Sequence, residues 1–222
     1  MHLQKNKKIL IYVLLFFILA TFNNKYLINI EFPKVVEINV NGLSEENNLE
    51  LKKNLYKLRL ENLFLLKKEE INKIIGSHNL VEKYSVFKKY PSTINIKIDK
   101  TNFLAKIKKD RNIFLLGSNG KIIKASEIVE EIPFIFGDFK NKNFFELKSV
   151  MTNKNFDYSE IKSLFFFKSG RWDVELHNGL LIKLPKKNLE KSFEQIFKIL
   201  EKKENKVNLI DLRQQNQIII NG

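Results

Sequence analysis

The stretch Ile9-Leu-Ile-Tyr-Val-Leu-Leu-Phe-Phe-Ile-Leu-Ala-Thr-Phe22 follows Lys5, Lys7 and Lys8, and no later segment of the 222-residue chain is hydrophobic enough to enter a bilayer. Everything beyond it is therefore expected to share one compartment. Fourteen helical residues rise only about 21 Å, short of the roughly 30 Å hydrocarbon core. A membrane-spanning helix must then continue through residues 23–28, with Lys25 reaching the headgroups, and a helix over 9–28 is long enough. The expected anchor residues are Ile9, Leu10, Ile11, Val13, Leu14, Leu15, Phe16, Phe17, Ile18 and Leu19. Three lysines before the run and the mixed Lys25, Glu31 and Lys34 after it favour a single-pass type II arrangement in the inner membrane, amino terminus in the cytoplasm and the bulk in the periplasm. A cleavable signal peptide is the rival reading, but it needs small residues at two positions before the cut. Ile18-Leu19-Ala20 and Ala20-Thr21-Phe22 do not supply them, which favours an uncleaved anchor.

About 190 residues remain beyond this segment, enough for one large or two small domains with cores of their own. Cysteine is absent, which excludes thiol catalysis and Cys-type metal sites and leaves packing to supply stability. Of the formal charge of +14, three units belong to the leader lysines, leaving +11 on the rest. Such a surface suits anionic headgroups or an acidic wall polymer, but Lys, Asn and Ile are frequent everywhere, and a general composition bias is the simpler account. Export and the lack of a recognisable reading motif argue against nucleic acid.

Val36, Ile38 and Val40 alternate with polar residues up to Asn41-Gly42, a half-buried strand ending in a turn. Leu51, Leu55 and Leu58 then share a helical face, and Glu69-Glu70 opens a second helix carrying Ile71, Ile74 and Ile75. Tyr84 to Lys88 and Ile94 to Ile98 alternate on either side of Tyr90-Pro91-Ser92, a hairpin. Residues 33–100 thus read as a strand-helix-helix-strand-strand unit. From residue 101 to 222 short strands dominate: Phe103 to Lys108, Asn112 to Leu116 and Lys121 to Lys124, with Ser118-Asn119-Gly120 as a turn. Trp172, Val174 and Leu176 run into Asn178-Gly179, and Leu180, Ile182 and Leu184 run away from it. Leu189, Phe193, Ile196, Phe197 and Leu200 make an amphipathic helix, and Val207 to Leu212 with Gln217 to Ile220 read as a closing strand broken by Gln214-Gln215-Asn216. The fold class expected is α+β.

No grouping for catalysis emerges. His2, His78 and His177 have no ligand-spaced partners, so no metal and no cofactor is expected. Gly117-Ser-Asn-Gly-Lys121 superficially resembles a phosphate loop but is too short between its glycines, and Ile122 stands where Ser or Thr is needed. Glu45-Glu46, Glu69-Glu70 and Glu130-Glu131 are expected at exposed positions, Glu69-Glu70 at a helix start. What the chain offers instead is strand edges. The last strand has no later segment of this sequence to cover its outer side, and an extended peptide can add there.

Trp172-Asp-Val-Glu-Leu-His-Asn-Gly179, Ile182-Lys-Leu-Pro185, the amphipathic helix and Ile210-Asp-Leu-Arg213 resemble, in order and spacing, the carboxy-terminal pattern of the bacterial divisome family FtsQ/DivIB. Val35 to Gly42, Tyr90-Pro91-Ser92-Thr93, Ile132-Pro133-Phe134 and Gly137 resemble the family's earlier landmarks. The resemblance implies a cytoplasmic tail at 1–8, a transmembrane helix at 9–28, a POTRA domain at 33–100 and a mostly antiparallel β domain at 101–222. It also implies a non-enzymatic scaffold that binds FtsB and FtsL, links them to the septal synthases FtsW and FtsI, and contacts FtsK through its POTRA domain. Strand addition of FtsB falls on Arg213, Gln214, Gln215, Asn216, Gln217 and Ile218. The alternative is a POTRA-type chaperone or assembly factor for exported or outer-membrane proteins, though such proteins usually repeat the unit or continue into a barrel.

Overall fold

The apolar run is helical in the computed structural model, which describes residues 3–22, 33–125, 132–201, 207–214 and 217–221. Helix α1 (Leu3–Phe22) is 20 residues long, but it starts in the basic leader and not at Ile9. Its apolar part is still Ile9 to Phe22, about 21 Å of rise. The expected spanning helix is corrected on this ground: among the described residues no helix is long and apolar enough to cross a membrane. The continuation over 23–28 lies outside the described residues. The expected anchor residues from Ile9 to Leu19 are all exposed, between 42% and 69%.

The chain divides into two compact units, Met1–Ile74 with Ser85–Lys97 and Ile75–Tyr84 with Ile98–Gly222. Between residues 33 and 100, β1 (Glu37–Asn41) leads to α2 (Glu45–Leu55), a 3-10 turn (Tyr56–Leu60) and α3 (Lys68–Ser77), followed by β2 (Val81–Lys89) and β3 (Thr93–Lys100); the stretches Ile75–Tyr84 and Ile98–Lys100 of these elements count with the second unit. Glu45 and Glu46 occupy the first turn of α2, where negative charge is favoured by the unpaired N–H groups. Leu51, Leu55 and Leu58 are buried as their spacing requires, although the helix tightens to 3-10 after Leu55. The sheet order is β1-β3-β2, with β1 parallel to β3 from Glu37 opposite Thr93 to Asn41 opposite Lys97. Ile38, Val40, Ile94 and Ile96 alternate inward from it. This is the expected strand-helix-helix-strand-strand order.

The second unit carries a nine-stranded sheet among the described residues. Its strands are β4 (Phe103–Lys109), β5 (Asn112–Gly117), β6 (Ile122–Lys124), β7 (Phe134–Phe136), β8 (Ile161–Phe166), β9 (Trp172–Leu176), β10 (Leu181–Lys183), β11 (Leu209–Asp211) and β12 (Ile219–Asn221). They lie in the order β12-β11-β10-β9-β8-β7-β4-β5-β6. The β4–β7, β7–β8 and β10–β11 pairs are parallel and the others antiparallel, a more mixed sheet than the sequence pattern implies. Parallel neighbours need a crossover, and two of the three crossovers are helices: α4 (Asn141–Asn153) between β7 and β8, and α5 (Leu189–Glu201) between β10 and β11. Phe144, Leu147 and Met151 of α4 and Phe193 and Ile196 of α5 pack with Leu164, Val174, Ile182 and Ile210 of the sheet in one core.

The Asn178-Gly179 hairpin forms as expected, with Val174 opposite Ile182 and Gly179 at φ +90. The glycine-containing Gly117 to Lys121 segment is the β5–β6 turn, closed by Gly117 N–H donating to the Lys121 carbonyl at 2.9 Å. Glu130 and Glu131 lie outside the described residues. The expected closing strand is two strands, β11 and β12, folded back on each other.

Candidate protein-docking edge

β12 ends the sheet. Leu209 pairs with Asn221, Ile210 with Ile220 and Asp211 with Ile219, and no strand flanks its far side among the described residues. Two rows of side chains cross the sheet to reach it. On the helix-covered face the row is Leu164, Val174, Ile182, Ile210 and Ile220. Ile210 is 0% exposed but Ile220, the last member, is 49% exposed, so the apolar row ends on an uncovered residue.

The opposite row is Phe165, Asp173, Lys183, Asp211 and Ile219, in which one lysine sits between two acids. Both acids are buried. Asp211 accepts from Arg213 Nε at 2.8 Å (Oδ1) and 2.9 Å (Oδ2), from its Nη2 at 2.5 Å and from its backbone N–H at 3.1 Å. Those hydrogen bonds hold the Asp211 carboxyl below the usual carboxylate range and raise the guanidinium's affinity for its proton. Asp173 is the reverse case: burial pushes its carboxyl up, against the pull of Arg171, Lys183 and Arg213. Its Oδ1 stands 3.6 Å from Arg171 Nε, too far for a hydrogen bond, and both atoms are buried without a hydrogen-bond partner.

The expected docking residues are brought together only in part. Arg213, Gln214, Gln217 and Ile218 line one cavity of about 480 Å³, with Arg213 fixed by Asp211 and Ile218 38% exposed. Gln215 and Asn216 lie outside the described residues. The sequence reading omits the other wall of this cavity, Pro185 to Asn188 with Lys191, Ser192 and Gln195 at the start of α5, and omits Ile219 and Ile220 on the edge itself. The Pro185 break marks only the start of the amphipathic helix; the wall's place beside β11 depends on the parallel β10–β11 pairing. Chemically, the arrangement offers backbone donors and acceptors, one apolar row end and clustered cations. Among the described residues no group of three His, Asp or Glu side chains is placed to hold a metal.

The profile described as "Cell division protein FtsQ/DivIB, C-terminal" matches residues 105–213, and that described as "POTRA domain, FtsQ-type" matches residues 34–100. The chain is 25% identical over 191 residues to the cell division protein FtsQ of Rickettsia typhi, covering 82% of this chain and 70% of that protein. It is 26% identical over 191 residues to its counterpart in Rickettsia prowazekii, covering 82% and 69%. Among solved structures it is similar to the major extracytoplasmic domain of DivIB from Geobacillus stearothermophilus, at 11% identity and a TM-score of 0.32, covering 48% of this chain and 99% of that one. The carboxy-terminal profile match stops at Arg213, so the open edge lies just beyond it.

Proposed function

Because the chain belongs to the FtsQ/DivIB family of cell division proteins, we propose that it is a non-catalytic scaffold of the division site that holds FtsB, and with it FtsL, by strand addition to β12. Through them it links early division proteins to FtsW and FtsI at the septum. The observation that carries this reading is the exposed outer edge of β12, at the end of a sheet whose apolar row stops on the half-exposed Ile220. An unpaired edge of this kind invites an extended partner, main-chain hydrogen bonds supplying affinity and flanking pockets supplying selection.

Arg213, Gln214, Gln217 and Ile218 then border the incoming segment. A contact of the FtsQ-type POTRA domain with FtsK belongs to the same proposal. The exposed apolar surface of α1 supports a position against lipid at the division site, and in this reading the two folded units lie on the periplasmic side.

Co-purification of the full chain with FtsB tests the reading. Deleting residues 214–222 is expected to abolish capture while the first unit stays folded by far-ultraviolet circular dichroism. Undiminished capture by the truncated chain contradicts it. Release of fragments from peptidoglycan by the purified protein would overturn the scaffold assignment itself.

A further inference from the structure

At the end of the first unit where residue 33 enters, five large apolar side chains stand in the open. Val36, Tyr56, Phe64, Leu65 and Tyr90 are 58%, 55%, 52%, 75% and 54% exposed. They form one surface and not five scattered positions. The Phe64 ring stacks on Tyr90 at 4.6 Å. Arg59 donates from Nε to the Val36 carbonyl at 2.7 Å, and its guanidinium lies 4.6 Å over the Tyr56 ring. Lys34 bridges to Asn62, whose side-chain oxygen accepts from the Phe64 N–H at 2.8 Å, and the Val36 N–H donates to the Ser92 carbonyl at 2.8 Å.

The same three segments, residues 33–37, 56–68 and 88–92, hold seven basic residues against the two acids Glu37 and Glu61. Lys34, Lys57, Lys67 and Lys89 are exposed around the apolar cluster. We propose that this surface docks on an anionic phospholipid bilayer, aromatic rings at the headgroup level and lysines on the lipid phosphates.

Three physical arguments select lipid. Aromatic rings and long aliphatic side chains together with a rim of lysines match the chemistry of the membrane interface, apolar below and anionic above. A contiguous apolar cluster of this exposure marks an interaction surface. The third argument is connectivity. Ten residues separate Phe22 from Pro33, and a chain of that length reaches at most about 36 Å. Within that reach lies α1, whose residues from Ile9 to Leu19 are exposed and apolar on all sides of the helix. The inference stands apart from the β12 reading and uses none of its residues.

The test uses the full chain bound to phosphatidylcholine vesicles containing phosphatidylglycerol and brominated acyl chains, with the vesicle-bound fraction isolated by flotation. The native Trp172 is buried and serves as a constant background. Emission from Phe64→Trp is expected to be blue-shifted and largely quenched, whereas Leu49→Trp, on the exposed part of α2, stays bright. Combining Phe64→Trp with Lys34→Glu, Lys67→Glu and Lys89→Glu is expected to restore emission. Should Phe64→Trp fold poorly, Tyr90→Trp gives the same readout. A floated fraction in which Tyr12→Trp is quenched but Phe64→Trp and Tyr90→Trp are as bright as Leu49→Trp overturns the proposal, and shows that the cluster faces protein or water.

Discussion

Arg213 folds back two residues onto Asp211, its Nε 2.8 Å from Oδ1 and 2.9 Å from Oδ2, at the point where β11 gives way to the bend that leads to β12. The Arg213 backbone N–H also donates to Asp211 Oδ1 at 3.1 Å. One carboxylate thus fixes both the main chain and the guanidinium of its neighbour. The turn toward the open edge starts from a set direction, and the cation is held beside the cavity that the edge borders.

Asp211→Asn removes the acceptor for this clamp. The folded-state carboxyl lies below its ordinary value, so its contribution is present above the unfolded pKa and is lost as pH falls through the lower folded value. With the Arg213 side chain 40% exposed, solvent screening limits the loss to about 1 kcal/mol at pH 7. Urea midpoints are expected to fall for the variant at pH 7 and to converge with the parent below about pH 4. Identical midpoints at pH 7 would show that the clamp does not stabilise the fold.

Asp173, on the other side of Lys183 in the same row, has the opposite sign. Burial raises its carboxyl, so the stability it contributes is complete below the unfolded pKa and declines as pH rises through the raised folded value. Asp173→Asn is therefore expected to gain a modest margin at pH 7, within about 1 kcal/mol, and to lose it toward pH 4. A destabilised variant at pH 7 would mean that the 3.6 Å pairing with Arg171 outweighs the cost of burial.

The contrast between these two acids also marks what the sequence reveals. Alternation around Asn178-Gly179 specifies the β9–β10 register, because a one-residue slip would turn Val174 and Ile182 out of the core. The amphipathic α5 is equally plain, since Phe193 and Ile196 recur at helical spacing. The α4 helix is not, because Phe144, Leu147 and Met151 are interspersed with Asn141, Asn143, Thr152 and Asn153, poor helix formers that tertiary packing overrides. With α4 unrecognised, the parallel β7–β8 pair it connects is hidden too. Arg213 and Ile218 are legible as flanks of the last strand, but the α5 wall of their cavity depends on the parallel return of β11 to β10, a long-range pairing that no local pattern encodes.

Two glycines at positive φ separate backbone strain from steric exclusion. A Cβ at Gly137 (φ +100) would fall 2.1 Å from the Phe166 carbonyl oxygen, whereas at Gly179 (φ +90) it would meet nothing within 4 Å. Gly179→Ala is expected to cost about 1 kcal/mol, the price of the left-handed conformation alone. Gly137→Ala must move β8 as well, and its cost should exceed about 3 kcal/mol. Thermal unfolding of both variants checks the ranking, and equal losses would show that the loop at Gly137 relaxes freely.

Ile219 and Ile220 point to opposite faces of the sheet, and strand addition treats them differently. Ile220 prolongs the apolar row through Ile210, Ile182 and Val174, so an added strand continues that row and covers the 49% of Ile220 now exposed. Ile219, 41% exposed, prolongs the charged row through Asp211, so an added strand meets it beside charged neighbours and not at the end of an apolar row. Under the proposed strand addition of FtsB, Ile220→Thr is accordingly expected to weaken capture about tenfold, equivalent to ~1.4 kcal/mol of lost burial, and Ile219→Thr to weaken it less. Both variants keep a β-branched side chain, so β12 itself should persist. Equal sensitivity at the two positions would indicate a partner resting across the end of the sheet and not one extending it.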